Sequence, residues 1–139
     1  MDHQIRTATL SDVNGINAVS IHLGYAALPS HEAIRNLRLI IESNADSLYV
    51  SHIGDVITGW LHLIYAKRLA SPSFVEIVGL VVDPNYRRQG VAKALVERAI
   101  ASHSGTVRVR CNEKRLDSRQ FYQALGFNKT KTQHVFKLR

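Results

Sequence analysis

The sequence predicts an α/β fold, a mixed central sheet with helices on its faces, and three observations carry that prediction. Segments of period-two or continuous apolar patterning alternate with segments of helical spacing. The run Phe74 to Val82 is almost wholly apolar, as expected of a central strand covered on both faces. That run passes through a short Pro-containing turn into another helical pattern, so strand and helix alternate through the second half.

Residues 3–8 read as a first strand. Ser11-Asp12 is positioned to cap a helix running to about Leu23, with Val13, Ile16, Val19 and Leu23 as its apolar stripe. Pro29-Ser30 opens a second helix in which Ile34, Leu37 and Ile41 recur at helical spacing, with Glu32 in the first turn where the helix dipole favours negative charge. Ser47 to Ile53 and Val56 to Tyr65 form a hairpin around Gly54-Asp55, a pair suited to a two-residue primed turn. Along its second strand Ile57, Gly59, Leu61, Leu63 and Tyr65 are expected to share one face. Residues 66–73 form a loop before the Phe74–Val82 strand. A helix is expected from about Gly90 to His103, ended by Ser104-Gly105. Thr106 to Cys111 alternates, with Val107, Val109 and Cys111 opposite Arg108 and Arg110. Ser118 to Leu125 reads as a short helix closed by Gly126, and residues 127–138 are expected to return as one or two strands. The predicted order is β-α-α-β-β-β-α-β-α-β(β).

A chain of 139 residues suits one domain, here taken over residues 1–139, and no repeat, linker or low-complexity tract divides it. No apolar run approaches the roughly 20 residues of a membrane helix, and the N-terminal residues lack a secretory pattern, so a cytoplasmic protein without membrane contact is expected. A single cysteine, Cys111, excludes an internal disulfide, and no Cys/His spacing suits a metal. The net charge of +7 is uneven: residues 1–69 carry 5 basic and 6 acidic side chains, residues 70–139 carry 13 and 5. A basic half attracts polyanions of any kind, but aromatics do not interleave with the charges and no helix-turn-helix pattern appears, which argues against nucleic acid.

The segment Val82-Asp-Pro-Asn-Tyr-Arg-Arg-Gln-Gly-Val-Ala-Lys-Ala-Leu95 is the most informative. A buried strand ends, a tight Arg87-Arg88-Gln89-Gly90-Val91-Ala92 loop follows, and a helix begins. The first amides of a helix lack internal partners and its dipole favours an anion there. Gly90 permits close backbone approach, and the two arginines add charge at the same point. Neither a Walker-type nor a dinucleotide-type glycine loop is present.

Here the chain resembles the GNAT N-acetyltransferase superfamily. The resemblance rests on the Arg/Gln-x-x-Gly-x-Gly/Ala loop, present as Arg87-x-x-Gly90-x-Ala92, and on Glu76-Ile-Val-Gly-Leu-Val-Val-Asp-Pro84 as the preceding strand. Asn112 after a strand, and Phe121-Tyr122-Gln-Ala-Leu-Gly-Phe127, match a second block. The resemblance implies acetyl-coenzyme A as co-substrate and direct acetyl transfer to a primary amine through a ternary complex. It implies that the backbone of Leu80, Val81 and Val82 pairs with the pantetheine arm and that an amide near Leu80 holds the acetyl oxygen. Arg87, Arg88, Gln89, Gly90, Val91, Ala92 and Lys93 would line the pyrophosphate, Asn112 would meet the pantetheine, and Tyr122 would donate a proton to the departing thiolate.

Such a reaction must also deprotonate an alkylamine of pKa near 10. Glu76 is the one carboxylate inside the apolar strand, and burial disfavours the charged form of a carboxyl group, so Glu76 is the candidate acceptor of the amine proton, directly or through water. Each residue also has a plainer use. The arginines can be solvated beside a capped turn, Glu76 can pair with a neighbouring cation, Tyr122 can be a core aromatic, and Asn112 can cap the turn that follows it. Cys111 reads as a small buried hydrophobe rather than a nucleophile. His22, His31, His62 and His134, with Tyr25 and the 66–73 loop, are candidates to border the acceptor site, whereas Trp60 and Tyr65 read as packing. The acceptor is left open between a small-molecule and a peptide amine. Family members often pair through C-terminal strands, so residues 129–138 suggest a homodimer. The alternative function is a non-catalytic module of the same fold that holds coenzyme A as a ligand or regulator.

Overall fold

The computed structural model describes residues 2–24 and 26–139, and the chain divides after Val109 into two compact units. The first carries a five-stranded sheet in the order β1-β2-β3-β4-β5: β1 (Gln4–Thr7), β2 (Asp46–Ile53), β3 (Val56–Ala66), β4 (Phe74–Val82) and β5 (Val107–Val109). The first four strands run antiparallel to their neighbours, and β4 pairs in parallel with β5. A parallel pair needs a crossover, which α3 (Val91–Ala101) supplies. Helices α1 (Val13–Ser20) and α2 (Ser30–Glu42) connect β1 to β2. The α/β class and the mixed sheet are as the sequence predicted.

Helices α1 and α2 cover one face of the sheet. Its core joins Val19 and Leu37 to Ala8, Leu48, Val50, Ile57 and Val81, with Trp60 and Ile40 packed against it. Helix α3 packs on β2, β3 and β4. Its Arg98 guanidinium lies over the Tyr49 ring, and Leu95, Val96 and Ala99 are fully buried.

The differences from expectation have local causes. The stretch expected as one helix to Leu23 is a 3-10 turn (Leu10–Asp12), α1, and a second 3-10 turn (Ile21–Leu23) closed by Gly24 at φ 96°. Helix α2 buries Ala33 and Leu37, not the Ile34-Leu37-Ile41 stripe; Ile34 and Ile41 are exposed, because the sheet face opposite selects the row through Ala33. In β3 the pairing slips between Ser51↔Gly59 and His52↔Ile57, leaving Thr58 as an extra residue. That bulge puts Ile57 into the core beneath α1, so it does not share a face with Leu61 and Leu63. Strand β5 is three residues long, shorter than the Thr106–Cys111 strand expected.

The second unit holds α4 (Leu116–Ala124), which ends at Gly126 with φ 98°. The strands expected over 127–138 are not formed: those residues carry no ladder, and Val135, Phe136 and Leu138 are almost fully exposed. From Asn128 to His134 no aliphatic or aromatic hydrophobe occurs, so threonine β-propensity acts there without a face to bury.

Candidate active site

Strand β4 is held along its whole length by β3, but β5 accompanies it only from Val75 to Ile77. Beyond Ile77 no strand among the described residues pairs with its other edge. The β3 register slips at the same point: His62 faces Gly79 and Leu63 faces Ile77, so Val78 has no partner and is exposed. A bulge bends a strand and re-aims its backbone. Residues 78–82 therefore present main-chain donors and acceptors along an edge to which an extended chain can add. Val81 is buried in the core beneath α1 and α2, while Leu80 and Val82 are half-buried, so side-chain packing on β3 fixes an edge whose polar groups face outward.

The edge leads into a loop shaped for an anion. Asp83 Oδ1 accepts the Asn85 N–H at 2.9 Å and starts a 3-10 turn (Pro84–Tyr86). Arg88 then adopts φ 63° and Gly90 φ 78°. Left-handed backbone at a non-glycine residue costs about 1–2 kcal/mol, a strain that collects at ligand sites. The first intrahelical bond of α3 runs from Ala94 N–H to Gly90 C=O at 3.0 Å, so the amides from Gly90 to Lys93 precede the helical ladder. Val91 is buried and anchors the helix start, whereas Arg87, Arg88, Gln89, Gly90 and Lys93 are exposed around it and Ala92 is half-buried.

Glu76 is buried, 7% exposed, and its neighbours across the ladders are Ile64 and Arg108. The Arg108 guanidinium carbon lies over the Phe74 ring, 4.1 Å from its centroid, and that of Arg68 of the 66–73 loop lies over the same ring at 5.4 Å. Two residues along β3 from Ile64, on the same sheet face, stands His62, whose Nε2 is 2.6 Å from Asp46 Oδ1. Burial pushes the Asp46 carboxyl up, but hydrogen bonds with Ser43 and His62 outweigh it and hold Asp46 below the ordinary carboxylate range. Of the other candidate histidines, His22 approaches Asp83 at 3.9 Å, while His31 and His134 are exposed. Trp60 packs in the core as expected, Tyr65 is half-exposed, and Tyr25 lies outside the described residues.

In the second unit, Asn112 Oδ1 accepts the Lys114 N–H at 2.9 Å and its C=O accepts the Arg115 N–H at 2.9 Å, so the side chain caps the turn before α4. Tyr122 is buried and makes edge-to-face contacts with Phe121 and Phe127 at 5.0 and 5.5 Å. Burial, with a smaller contribution from the Cys111 thiolate, pushes the phenol up to about 12, so it stays protonated across the neutral range. Burial likewise raises the Cys111 thiol, partly opposed by Arg115 and Arg119, which disfavours the thiolate a nucleophile needs. Among the described residues no three His, Cys, Asp or Glu side chains gather as a metal cluster, and no helix is long and apolar enough to cross a membrane.

Sequence reasoning missed two features of this region. The Val78 bulge leaves no mark in composition, because a register slip depends on the partner strand. The hydrogen bond from His3 Nε2 to Gln89 Oε1, 2.9 Å, joins residues 86 positions apart and has no local signature.

The model of the Acetyltransferase (GNAT) family matches residues 20–127. None of the curated proteins matches the chain significantly. Among solved structures, the chain is similar to a transcriptional regulator from Bacillus halodurans C-125, at 22% identity and TM-score 0.85 over 99% of this chain and 100% of that one. It is similar to AAC(6')-Iy in complex with the bisubstrate analogue CoA-S-monomethyl-acetylneamine, at 18% identity and TM-score 0.84 over 100% and 99% of the two chains. It is also similar to glucosamine-6-phosphate N-acetyltransferase from Arabidopsis thaliana, at 17% identity and TM-score 0.85 over the whole of both chains. These likenesses bear on the fold. The family match covers most of the chain, including the β4 edge and the loop at the start of α3, and on that ground the chain belongs to the GNAT family of acetyltransferases.

Proposed function

We propose that the protein is an N-acetyltransferase that moves the acetyl group of acetyl-coenzyme A directly onto a small-molecule primary amine in a ternary complex, with residues 1–139 acting as one catalytic domain. The observation that carries this is the β4 edge from Val78 to Val82 running into the Arg88–Gly90 loop at the start of α3. An extended amide-bearing arm fits the edge, and a pyrophosphate fits the first-turn amides with Arg87, Arg88, Gln89 and Lys93 around them. Main-chain N–H groups near Leu80 hold the acetyl oxygen as it gains charge, a reading supported by the free edge of β4 there. Glu76 takes the amine proton, Asn112 meets the arm, and Tyr122 serves the departing sulfur. The raised Cys111 thiol favours direct transfer over an acyl-enzyme.

Amino sugars are the first acceptors to screen, since two similar structures are an acetylneamine-analogue complex and a glucosamine-6-phosphate N-acetyltransferase. The reading includes a cytoplasmic location and a homodimer; a monomeric mass by light scattering at assay concentration overturns the dimer. The primary test is thermal unfolding with acetyl-coenzyme A, with the form lacking the 3′-phosphate as a control. Ligand at about 100 times its dissociation constant adds roughly 2.7 kcal/mol, a shift of several degrees. No shift at millimolar ligand removes the proposal. A shift without thiol release on any amine leaves a coenzyme-holding module in its place.

A further inference from the structure

We infer that His3 is a positioning residue for the anion loop, an inference that rests on the proposed coenzyme site. His3 lies just before β1, and nothing in its own neighbourhood of the sequence connects it to the loop. Its ring nevertheless bridges two distant elements: Nδ1 is 3.1 Å from Thr58 Oγ1 and Nε2 is 2.9 Å from Gln89 Oε1. The ring also meets Tyr86 edge-on, with centroids 5.6 Å apart.

The support beneath His3 is unusual for a core. Ser51 and Thr58 are both fully buried, and their hydroxyl oxygens lie 2.9 Å apart. A buried hydroxyl without a partner costs about 1–3 kcal/mol, so two of them side by side need an outlet. Thr58 is the extra residue of the β3 bulge, and bulges re-aim side chains. Its hydroxyl reaches the His3 ring. The chain of bonds has a consistent direction. A neutral imidazole has one N–H, and Gln89 Oε1 can only accept, so Nε2–H donates to it and Nδ1 accepts from Thr58. Thr58 Oγ1 in turn accepts from Ser51. Every link donates toward the loop.

Two consequences follow for the loop. The Gln89 carbonyl is engaged by His3, which leaves its NH2 group, a donor, for the anion that Arg87, Arg88 and Lys93 surround. The Arg88 backbone, strained at φ 63°, gains an anchor on the sheet next to it. The buried pair in β2 and β3 thus orders the residue that presents the donor.

The experiment uses the full chain with His3→Ala, Gln89→Ala, their double variant, Thr58→Val, and His3→Gln, whose amide N–H reaches about as far as Nε2. The expected result for His3→Ala is a KM for acetyl-coenzyme A raised roughly five- to tenfold, the value of one neutral hydrogen bond, with kcat within about twofold. The double variant is expected to be no worse than the weaker-binding single, and His3→Gln to recover most of the affinity. In the ligand-free protein, amide hydrogen exchange at Arg87 and Ala94, whose N–H groups are bonded to Pro84 and Gly90 C=O at either end of the loop, is expected to speed up in His3→Ala and Thr58→Val, with α2 unchanged. Additive single effects, a loss confined to kcat, or unaltered loop exchange overturns the inference. If the wild-type chain binds no coenzyme, the proposed function fails while the exchange measurement still decides the role of His3.

Discussion

Gly79 makes the packing beside the Val78 bulge testable. A Cβ built on Gly79 lies 2.6 Å from Trp60 Cζ3 and 3.0 Å from Cη2, whereas carbon atoms prefer about 3.5–4.0 Å. For Gly79→Ala the indole must retreat by roughly 1 Å. It is not free to do so, because Nε1–H donates to Ser20 Oγ at 3.1 Å and the ring packs against the core beneath α1. Overpacking costs about 1–3 kcal/mol and a strained or lost hydrogen bond about 0.5–1.5 kcal/mol more. The lower entropy of an unfolded alanine returns about 0.4–1 kcal/mol. The net is about 2 kcal/mol, within limits of about 0.5–4, or roughly 6–10 °C in Tm at the central value for a chain of this size. Urea and thermal unfolding measure it, and Trp60→Phe, which removes the clashing six-membered edge, is expected to restore part of the loss in the Gly79→Ala background only. A loss under about 0.5 kcal/mol, or simple additivity of the two changes, refutes the reasoning.

Arg88→Gly separates strain from charge. Relief of about 1–2 kcal/mol of left-handed strain, against about 0.5–1 kcal/mol of glycine entropy, leaves stability unchanged or raised, while coenzyme affinity falls about tenfold or more; clear destabilisation, or unaltered affinity by calorimetry, contradicts this placement. Glu76→Gln is expected to slow turnover sharply at constant coenzyme affinity, and unchanged turnover excludes Glu76 as the proton acceptor. Asp12 accepts two bonds from Arg6, at 2.7 and 2.8 Å, and the Thr9 N–H at 2.8 Å, which together hold its carboxyl below the usual range against burial. Because the folded-state value is depressed, this stability is present above the unfolded value of 3.8 and is lost as pH falls through the lower folded value. Asp12→Asn is expected to cost about 1–2 kcal/mol at pH 7 and to flatten the acid branch of the urea midpoints; an unaltered branch assigns it to other groups.

What was legible in the sequence was local. The apolar run of β4, its Pro84 turn and the Gly90 helix start occupy consecutive residues, so their pattern survives without knowledge of the rest of the fold. Features that depend on a partner were not. The slips at Thr58 and Val78 are set by which residues β2 and β4 bring opposite β3. The buried face of α2 passes through Ala33, too small to stand out in an apolar stripe until the sheet opposite it is known. The alternating polar tail after Gly126 looked strand-like, yet a strand needs a ladder, and residues 127–138 have none. Asn112 shows the same limit from another side, since one asparagine after a strand fits both a ligand contact and the Asx cap it forms here.

The environment of Tyr122 decides what a phenol can contribute to the proposed transfer. With its pKa pushed up to about 12, complete proton transfer to an alkyl thiolate is uphill by roughly 3–5 kcal/mol, the upper figure being for a thiol as acidic as that of cysteine, near 8.5. That is a heavy share of the roughly 16 kcal/mol barrier that corresponds to a turnover near 10 per second. Donating a hydrogen bond to the developing thiolate needs no such transfer, and a bond to a charged acceptor is worth about 1.5–3 kcal/mol. The same burial that makes Tyr122 a poor acid keeps its O–H present at every working pH. Tyr122→Phe should therefore lower kcat by about 10- to 100-fold at constant coenzyme affinity, and the loss should be equal at pH 7 and pH 9. A loss that shrinks from pH 7 to pH 9 would instead indicate a phenol that titrates in this range, which its packing against Phe121 and Phe127 opposes.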